Sequence, residues 1–401
     1  MPRVAFLTHT PPLPAVSGER LRNWNLIRDL AHRGWEVSLF SLVPGGTAFD
    51  SEEQRLLDET CAEVATASSP SGSWRRTARL ARDVVLRRAL HADYFVTSRA
   101  VHQCRDWLST GSPELLVVGQ LYMAPYVPKQ LLGRSVLDSN NAEARRIGTM
   151  ADVLGSSPRG LVARLQRAPV TSFERAVASQ VARVVAVSEQ DRAYFERLAP
   201  GRVDLVPNGV DCVGLGPRQQ LPADPRLLFI GSLDYSANVD ALAYLAEQIL
   251  PHVRSREVTV DVVGSNPRKP VHELARRFPT VLDLAGFVSD PEPYWRRARA
   301  LVVPLRIGGG TRLKILEALA RGVPVVSTTI GCEGLELADG EELLVADEPS
   351  GFAGCVARLL DDDDLCRSLA VKGRKKVEAL YDWRSIGAAF ERSLVAAMSA
   401  P

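Results

Sequence analysis

A short apolar stretch at residues 300–305 is followed by glycines, cations and a carboxylate. The apolar residues predict a buried strand, and the residues of interest after it are Gly308, Gly309, Gly310, Thr311, Arg312, Leu313, Lys314 and Glu317. Glycines let backbone N–H groups approach a ligand closely, and a helix N-terminus attracts anions through free N–H groups and the helix dipole. The segment therefore predicts a phosphate or diphosphate site at the start of a helix.

Individual side chains of this segment fit such a site. Thr311 could cap the helix, and Arg312 and Lys314 would bring positive charge to the phosphates. Glu317 would lie about 9 Å further along the helix, a separation that suits the hydroxyl groups of a ribose. Plainer interpretations stay open, because the glycines could form only a tight turn and the cations could be solvated helix charges. The Walker A and Rossmann glycine patterns are both absent from this segment.

Length and composition indicate a globular protein of more than one domain. The chain has 401 residues, of which 46% are hydrophobic and 24% charged, and its formal net charge is +2. This charge gives no reason to expect nucleic-acid binding, and no apolar run is long enough to predict a membrane-spanning helix. The six cysteines form no Cys-x-x-Cys pair, so we expect no zinc site and a cytoplasmic protein with reduced thiols.

Strands and helices alternate along the chain, which predicts doubly wound parallel sheets with sites at the C-terminal ends of strands. Strands are expected at 4–8, 36–42, 115–118, 135–137 and 184–187 and again from 226, and helices at 20–33 and 52–57. Residues 207–225 are rich in proline and glycine and predict a linker. We therefore expect one α/β domain over 1–206, completed by the last helix at 382–401, and a second over 226–381.

In their order along the chain, several segments resemble the retaining, family 4 type of GT-B glycosyltransferases. The matching segments are 187–189 (Val-Ser-Glu), 207–211 (Pro-Asn-Gly-Val-Asp) and 317–326, which carries Glu-Ala and then Gly-x-Pro-Val-Val. The first glutamate of the family's Glu-x7-Glu element would fall at Gly309. The chain therefore resembles the branch of the family that carries Gly-Gly-Gly-Thr-Arg-x-Lys at that place.

This resemblance implies the GT-B fold, in which two Rossmann-like doubly wound domains face a cleft. It implies retaining, metal-independent transfer of a hexose from a nucleoside diphosphate sugar, with no cofactor. The N-terminal domain would bind the acceptor, which could be a cell-envelope glycolipid, a polysaccharide or a small molecule. The C-terminal domain would bind the donor through Gly231, Gly264, Phe287, Val288, Gly308, Gly309, Gly310, Thr311, Arg312, Leu313, Lys314 and Glu317.

One departure from the family concerns the diphosphate. Many members carry an arginine and a lysine just after the strand that here ends at Gly231, whereas residues 234–238 contain no cation. We expect Arg312 and Lys314 to supply the missing charge. The alternative is that Arg20 or Arg22 reaches the diphosphate from the other domain.

The acceptor side departs from the family as well. Members often carry a histidine after a central strand of the first domain, and Gln120 or Tyr122 occupies that place here. Gly18 lies in the turn that resembles the family's glycine loop, and Asp138 and Glu143 are candidate carboxylates at a strand end. Together with Arg312, the catalytic candidates are Gly18, Gln120 and Asp138. His9 is more consistent with a solvated or structural role than with a catalytic one.

Two further segments and two rival functions complete the sequence-based expectations. Residues 74–90 resemble an arginine-rich amphipathic helix, which could contact an anionic membrane at its inner face or simply pack on the sheet. The aspartates at 361–364 are expected to cap a helix and not to bind metal. A non-hydrolysing nucleotide-sugar epimerase and a non-catalytic nucleotide-sugar-binding subunit stay open as alternative functions.

Overall fold

The computed structural model divides the chain into two compact units. It describes residues 1–15, 17–43, 49–69, 88–89, 95–222, 224–253, 258–307 and 312–399. Unit 1 comprises Met1–Asn208 and Trp383–Pro401, and unit 2 comprises Gly209–Asp382. Each unit contains its own parallel sheet.

The sheet of unit 1 has seven strands in the order β3-β2-β1-β4-β5-β6-β7. The strands are β1 (Arg3–Thr8), β2 (Glu36–Val43), β3 (Glu63–Ser68), β4 (Leu115–Gly119), β5 (Ser135–Ser139), β6 (Arg183–Ala186) and β7 (Val203–Leu205). The helices are α1 (Gly18–His32), α2 (Ser51–Thr60), α3 (Ser98–Gly111), α4 (Lys129–Leu132), α5 (Glu143–Leu154), α6 (Pro158–Ala178), α7 (Glu189–Glu196) and the last helix, α14 (Trp383–Met398), with a 3₁₀ helix at Leu121–Tyr126.

Alternating side chains of β1 build two hydrophobic layers, one on each face of this sheet. Val4 and Phe6 pack in one layer, and Ala5 and Leu7 pack in the other. Helix α14 covers the first layer, where Phe390 is fully buried with its ring centroid 6.2 Å from that of Phe6. The last helix, α14, therefore contributes to the hydrophobic core of unit 1.

The sheet of unit 2 has six strands in the order β10-β9-β8-β11-β12-β13. The strands are β8 (Arg226–Ile230), β9 (Thr259–Val263), β10 (Leu282–Gly286), β11 (Ala300–Val303), β12 (Val325–Ser327) and β13 (Leu344–Val345). The helices are α8 (Ser236–Tyr244), α9 (Lys269–Arg277), α10 (Glu292–Arg297), α11 (Leu313–Ala320), α12 (Pro349–Asp361) and α13 (Asp363–Leu380).

The predicted strands and helices are confirmed, with ends shifted by up to three residues, and the paired strands are all parallel. The strands β3, β7 and β13 are among those that were not predicted individually. Each lies at the end of the sheet order or is only two or three residues long, so its apolar signal is weak. Of the predicted linker, residues 209–225 belong to unit 2, where Val210 and Cys212 are buried in the core.

Of the predictions for the segments 361–364 and 74–90, the structure tests only the first. Asp362 accepts a hydrogen bond from the Leu365 backbone N–H (2.8 Å) and thus caps α13, as predicted. The arginine-rich segment at 74–90 lies outside the described residues except for 88 and 89. Within the described part of the chain, no helix has the length and apolar character needed to span a membrane.

Candidate functional site

The C-terminal ends of the parallel strands of unit 2 bring several predicted residues to one edge of the sheet. Gly231 follows β8, Gly264 follows β9, and Phe287 follows β10. Phe287 is strongly exposed, with 74% of its surface accessible, whereas Val288 packs against the core. In open α/β sheets, this edge is where ligands bind.

Two glycines at this edge have close neighbours, one of them a backbone atom and the other a side chain. A Cβ atom at Gly264 would lie 1.8 Å from the carbonyl oxygen of Gly231, which no relaxation of a side chain could relieve. Gly231 has a φ of +153°, and a Cβ there would lie 2.8 Å from Nζ of Lys314. The glycines therefore leave room for the Lys314 ammonium group beside the end of β8.

Hydrogen bonds fix the position of Lys314. Its Nζ donates to Oδ1 of Asn238 (3.3 Å), and Nδ2 of Asn238 donates to the Ser232 carbonyl (2.9 Å). The ammonium also lies 5.5 Å from the ring centroid of Phe229. Lys314, from α11, thus brings positive charge to the loop after β8, which contains no cation of its own.

Burial lowers the pKa values of both cations at this edge, Lys314 and Arg312. It lowers the pKa of Lys314 to about 8, and the nearby Arg312 guanidinium contributes to that decrease. Burial also lowers the pKa of Arg312, of which only 8% is exposed. Because each charged form is disfavoured, an anion near these groups would stabilise both cations. Such an electrostatic environment favours an anionic ligand.

Glu317 lies one turn along α11 from Lys314 and is half-buried. Burial raises the pKa of its carboxyl group, while Arg321 and Lys314 oppose that increase. Leu313, the first residue of α11, packs against the core. The loop residues Gly308, Gly309, Gly310 and Thr311 lie outside the described residues, so their predicted contact with phosphate stays a prediction.

Unit 1 carries a strained residue at the corresponding edge of its sheet. Gln120, directly after β4, is buried and has a φ of +69°, which is unusual for a residue with a long side chain. Its backbone N–H donates to the Asp138 carbonyl (3.0 Å). Its Oε1 has no hydrogen-bond partner within the described ranges. Strain of this kind, with an unsatisfied buried oxygen, is typical of functional positions.

The carboxylate of Asp138 is bound by an arginine that sequence analysis did not connect with it. Arg22 donates to Asp138 through Nη2 (2.6 Å) and Nε (2.9 Å), and both side chains are buried. Nη1 of Arg22 donates to the carbonyl groups of Val206 and Pro207 (3.1 and 3.0 Å). Arg22 is therefore engaged within unit 1. No sequence signal pairs two residues 116 positions apart.

A cluster of aromatic and ionisable side chains lies near Gly18, the exposed first residue of α1. Nδ1 of the buried His9 lies 3.0 Å from Oε1 of Glu19. The His9 ring packs against Phe95 and Tyr122, with centroids 4.7 Å apart in both pairs. Burial raises the pKa of Tyr122, and the nearby Glu143 carboxylate adds to that increase. This grouping cannot be predicted from the sequence, because His9, Tyr122 and Glu143 follow three different strands.

Comparison with known protein families gives a match in unit 2. Residues 224–362 match the family model described as glycosyl transferases group 1. A D-inositol 3-phosphate glycosyltransferase from Catenulispora acidiphila is 31% identical over 235 residues, which cover 52% of this chain and 54% of that protein. The chain thus spans about half the length of the curated relatives it matches.

Solved structures resemble the chain over nearly its whole length. Sucrose-phosphate synthase from Thermosynechococcus elongatus has a TM-score of 0.72 at 20% identity, covering 98% of both chains. HepE from Anabaena, solved with UDP and glucose, has a TM-score of 0.68 at 14% identity, covering 98% of this chain and all of that one. The predicted fold class is thereby confirmed: the chain has the GT-B fold, with two parallel-sheet α/β domains.

Proposed function

We propose that this protein is a retaining glycosyltransferase that moves a hexose from a nucleoside diphosphate sugar to an acceptor hydroxyl group. The observation that carries the proposal is the position of Lys314, held by Asn238 beside Gly231 at the strand ends of unit 2. A half-buried ammonium with a lowered pKa, close to the buried cation of Arg312, favours a diphosphate over a neutral ligand. The family match over 224–362 covers this same region.

Lys314 and Arg312 would act mainly on the leaving group. When the bond between the anomeric carbon and the diphosphate oxygen breaks, the electron pair moves to that oxygen and negative charge develops on the diphosphate. Preorganised cations at that point stabilise the transition state more than the ground state. The same charge makes a metal ion unnecessary, so we propose metal-independent transfer. Glu317 would accept hydrogen bonds from the ribose hydroxyl groups.

Retention follows in this proposal from attack on the same face of the sugar. The acceptor hydroxyl would form the new bond to an oxocarbenium-like carbon, and its proton would pass to the departing phosphate oxygen. Gln120 of unit 1, with its unsatisfied buried oxygen, would help to orient the sugar or the acceptor. Asp138 would hold Arg22 and the end of β5, which makes it a positioning residue.

Unit 1 would bind the acceptor. The Gly18 turn and the cluster around His9 and Tyr122 offer hydroxyl, carboxylate and aromatic groups suited to a polyol or a sugar. D-inositol 3-phosphate is the acceptor to test first, since the name of one relative specifies it. Lipid-linked and polysaccharide acceptors are also proposed. A lipid-linked acceptor would be presented at an anionic membrane that residues 74–90 contact.

A transfer assay tests the proposal. A panel of nucleoside diphosphate sugars is incubated with the protein and candidate acceptors, and the release of nucleoside diphosphate is measured together with the glycosylated product. We expect one donor to be consumed with equal amounts of both products, and the product to keep the donor's anomeric configuration. Donor isomerisation without nucleotide release would instead indicate an epimerase. Donor binding without turnover across all acceptors would indicate a binding subunit.

A further inference from the structure

The helical hairpin formed by α5 and α6 in unit 1 carries a group of exposed apolar side chains. Leu161, Val162 and Leu165, in the first turns of α6, are 49%, 39% and 61% exposed. Met150, near the end of α5, is 38% exposed. Scattered exposed apolar residues are ordinary in globular proteins, whereas several close together mark an interaction surface. We call these four residues the hairpin patch.

The packing of the hairpin does not require the patch. Ala163 and Val170 on the inner face of α6 are buried in a small core, together with three residues of α5: Ala144, Ile147 and Ala151. Because successive residues of an α-helix are about 100° apart, Leu161 and Leu165 lie on the side of α6 opposite this core. These two leucines therefore add little to the stability of unit 1, and their apolar surface is available to a partner.

The half of α6 that carries the patch extends beyond the sheet. Near the end of α6, Val177 and Ala178 pack in a core that includes strand residues, among them Val184 of β6. The buried members of the core around Ala163 are, within the described part of the chain, Ala89 and residues of α5 and α6. Helix α6 has 21 residues and is about 31 Å long, whereas the five-residue strand β5 is roughly 17 Å long. Since α6 leads into the start of β6, its first half lies past the C-terminal ends of the strands.

Two arginines give the patch a positive border. Arg164 and Arg167 are exposed on one flank of the two leucines. Arg167 also reaches α5, where a Cβ atom added to Gly148 would lie 3.8 Å from its Nε. Among the described residues, neither arginine has an acidic side chain within ion-pair distance, and residues 158–173 include no aspartate or glutamate. The charge of this border is complementary to an anionic surface.

We propose that the hairpin patch docks this protein on an anionic membrane surface. Its apolar side chains enter the boundary between lipid headgroups and acyl chains, where Arg164 and Arg167 contact the lipid phosphates. A second copy of the chain is a poorer occupant, because a symmetric contact would place each arginine near its own equivalent. Four apolar side chains are also far fewer than the roughly 20–30 residues that each partner contributes to a stable interface. The patch shares no residue with the segment 74–90, and the inference does not depend on the proposed function.

Co-sedimentation with lipid vesicles tests the patch. One set of vesicles contains equal parts of phosphatidylcholine and phosphatidylglycerol, and a second set contains phosphatidylcholine alone. The wild type is compared with two double variants: a leucine variant, Leu161→Gln with Leu165→Gln, and an arginine variant, Arg164→Gln with Arg167→Gln. Glutamine is uncharged and favourable in helices, so both variants should keep α6 intact.

Two further double variants are matched controls. Val371→Gln with Val395→Gln removes two aliphatic side chains that are 69% and 51% exposed and lie outside the hairpin. Arg55→Gln with Arg105→Gln removes two exposed arginines of unit 1. Thermal unfolding without lipid checks that every variant folds.

We expect the wild type and both controls to bind the anionic vesicles equally and to bind phosphatidylcholine vesicles more weakly. Each arginine near an anionic surface contributes about fivefold to partitioning, so the arginine variant should bind at least about tenfold more weakly. The leucine variant should lose about tenfold or more, because two apolar side chains no longer enter the lipid. Absence of wild-type binding, or binding of either patch variant as tight as that of the controls, would overturn the inference. Light scattering that finds a wild-type dimer, and only monomer in the leucine variant, would also overturn it, since the patch would then join two copies.

Discussion

At the scale of single residues, some charged groups are engaged in structure and others are available to a ligand. Asp138 and Lys314 illustrate the difference. Asp138 is neutralised by a bidentate arginine inside unit 1. Lys314 is held by a neutral amide at the end of the sheet where ligands bind in folds of this class. A carboxylate paired in this way stabilises the fold, whereas a cation held by an amide is suited to bind an anion.

Replacing Asp138 with alanine should destabilise the protein, because the buried Arg22 would lose its counter-charge. We expect the free energy of unfolding to fall by about 3–5 kcal/mol. Adding Arg22→Met should recover part of this loss, since the uncompensated charge is then gone. Denaturant unfolding measures both effects. Unchanged stability with abolished transfer in Asp138→Ala would instead make Asp138 a catalytic residue.

The affinity for the nucleoside diphosphate should depend on pH through Lys314. Its lowered pKa of about 8 means that the free protein carries the positive charge below pH 8 and loses it above. A bound diphosphate favours the charged form, so the contribution of Lys314 to affinity should begin to fall as pH rises through about 8 and approach a tenfold loss per unit above it. In Lys314→Arg the charge persists, and this decline should disappear. The same decline in both proteins, measured by calorimetry, would rule out Lys314 as its cause.

At the scale of elements, helix ends position the candidate groups. Helix α11 presents Lys314 and Glu317 near its start, and α5 begins at Glu143 beside the cluster in unit 1. The start of α5 is capped from another helix: Glu174 of α6 accepts hydrogen bonds from the backbone N–H groups of Glu143 (2.9 Å) and Ala144 (3.3 Å). The position of Glu143 thus depends on a buried carboxyl group.

The carboxyl group of Glu174 should make stability depend on pH. Burial raises its pKa to about 7 from an ordinary value of 4.5. Between these values the folded state keeps a proton that the unfolded state has lost, so its contribution is complete below pH 4.5 and is lost as pH rises through 7. Relative to Glu174→Gln, the wild type should lose about 3 kcal/mol across this range. Urea unfolding at several pH values measures the difference. Parallel curves for the two proteins would contradict the shifted pKa.

At the scale of the whole molecule, the sequence predicted the alternating strands and helices well, because each central strand is a short apolar run. It also predicted α14 as an apolar-faced final helix. Contacts between distant residues could not be predicted in this way. The pair of Arg22 with Asp138 and the placement of Lys314 beside Gly231 both join elements that are distant in sequence. A sequence pattern identifies each of these residues separately, but it does not show that they are in contact.

A chelator tests the charge balance of the complete protein. If Arg312 and Lys314 neutralise the diphosphate, sugar transfer should proceed at an unchanged rate in the presence of excess EDTA. The assay compares initial rates before and after chelation, and then after addition of magnesium or manganese. Loss of activity on chelation with recovery on addition of metal would show that the cations are insufficient.

The most direct test of the account is the binding of nucleoside diphosphates to three proteins: the wild type, Lys314→Ala and Lys375→Ala, a control that removes an exposed lysine of α13. Calorimetry with UDP, GDP, ADP and dTDP should find at least one ligand that binds the wild type and the control with equal affinity. The same ligand should bind Lys314→Ala at least about tenfold more weakly, because a charge-assisted hydrogen bond of about 1.5–3 kcal/mol is lost. If none of the four binds the wild type, or if Lys314→Ala binds as well as the control, the donor site proposed here is wrong.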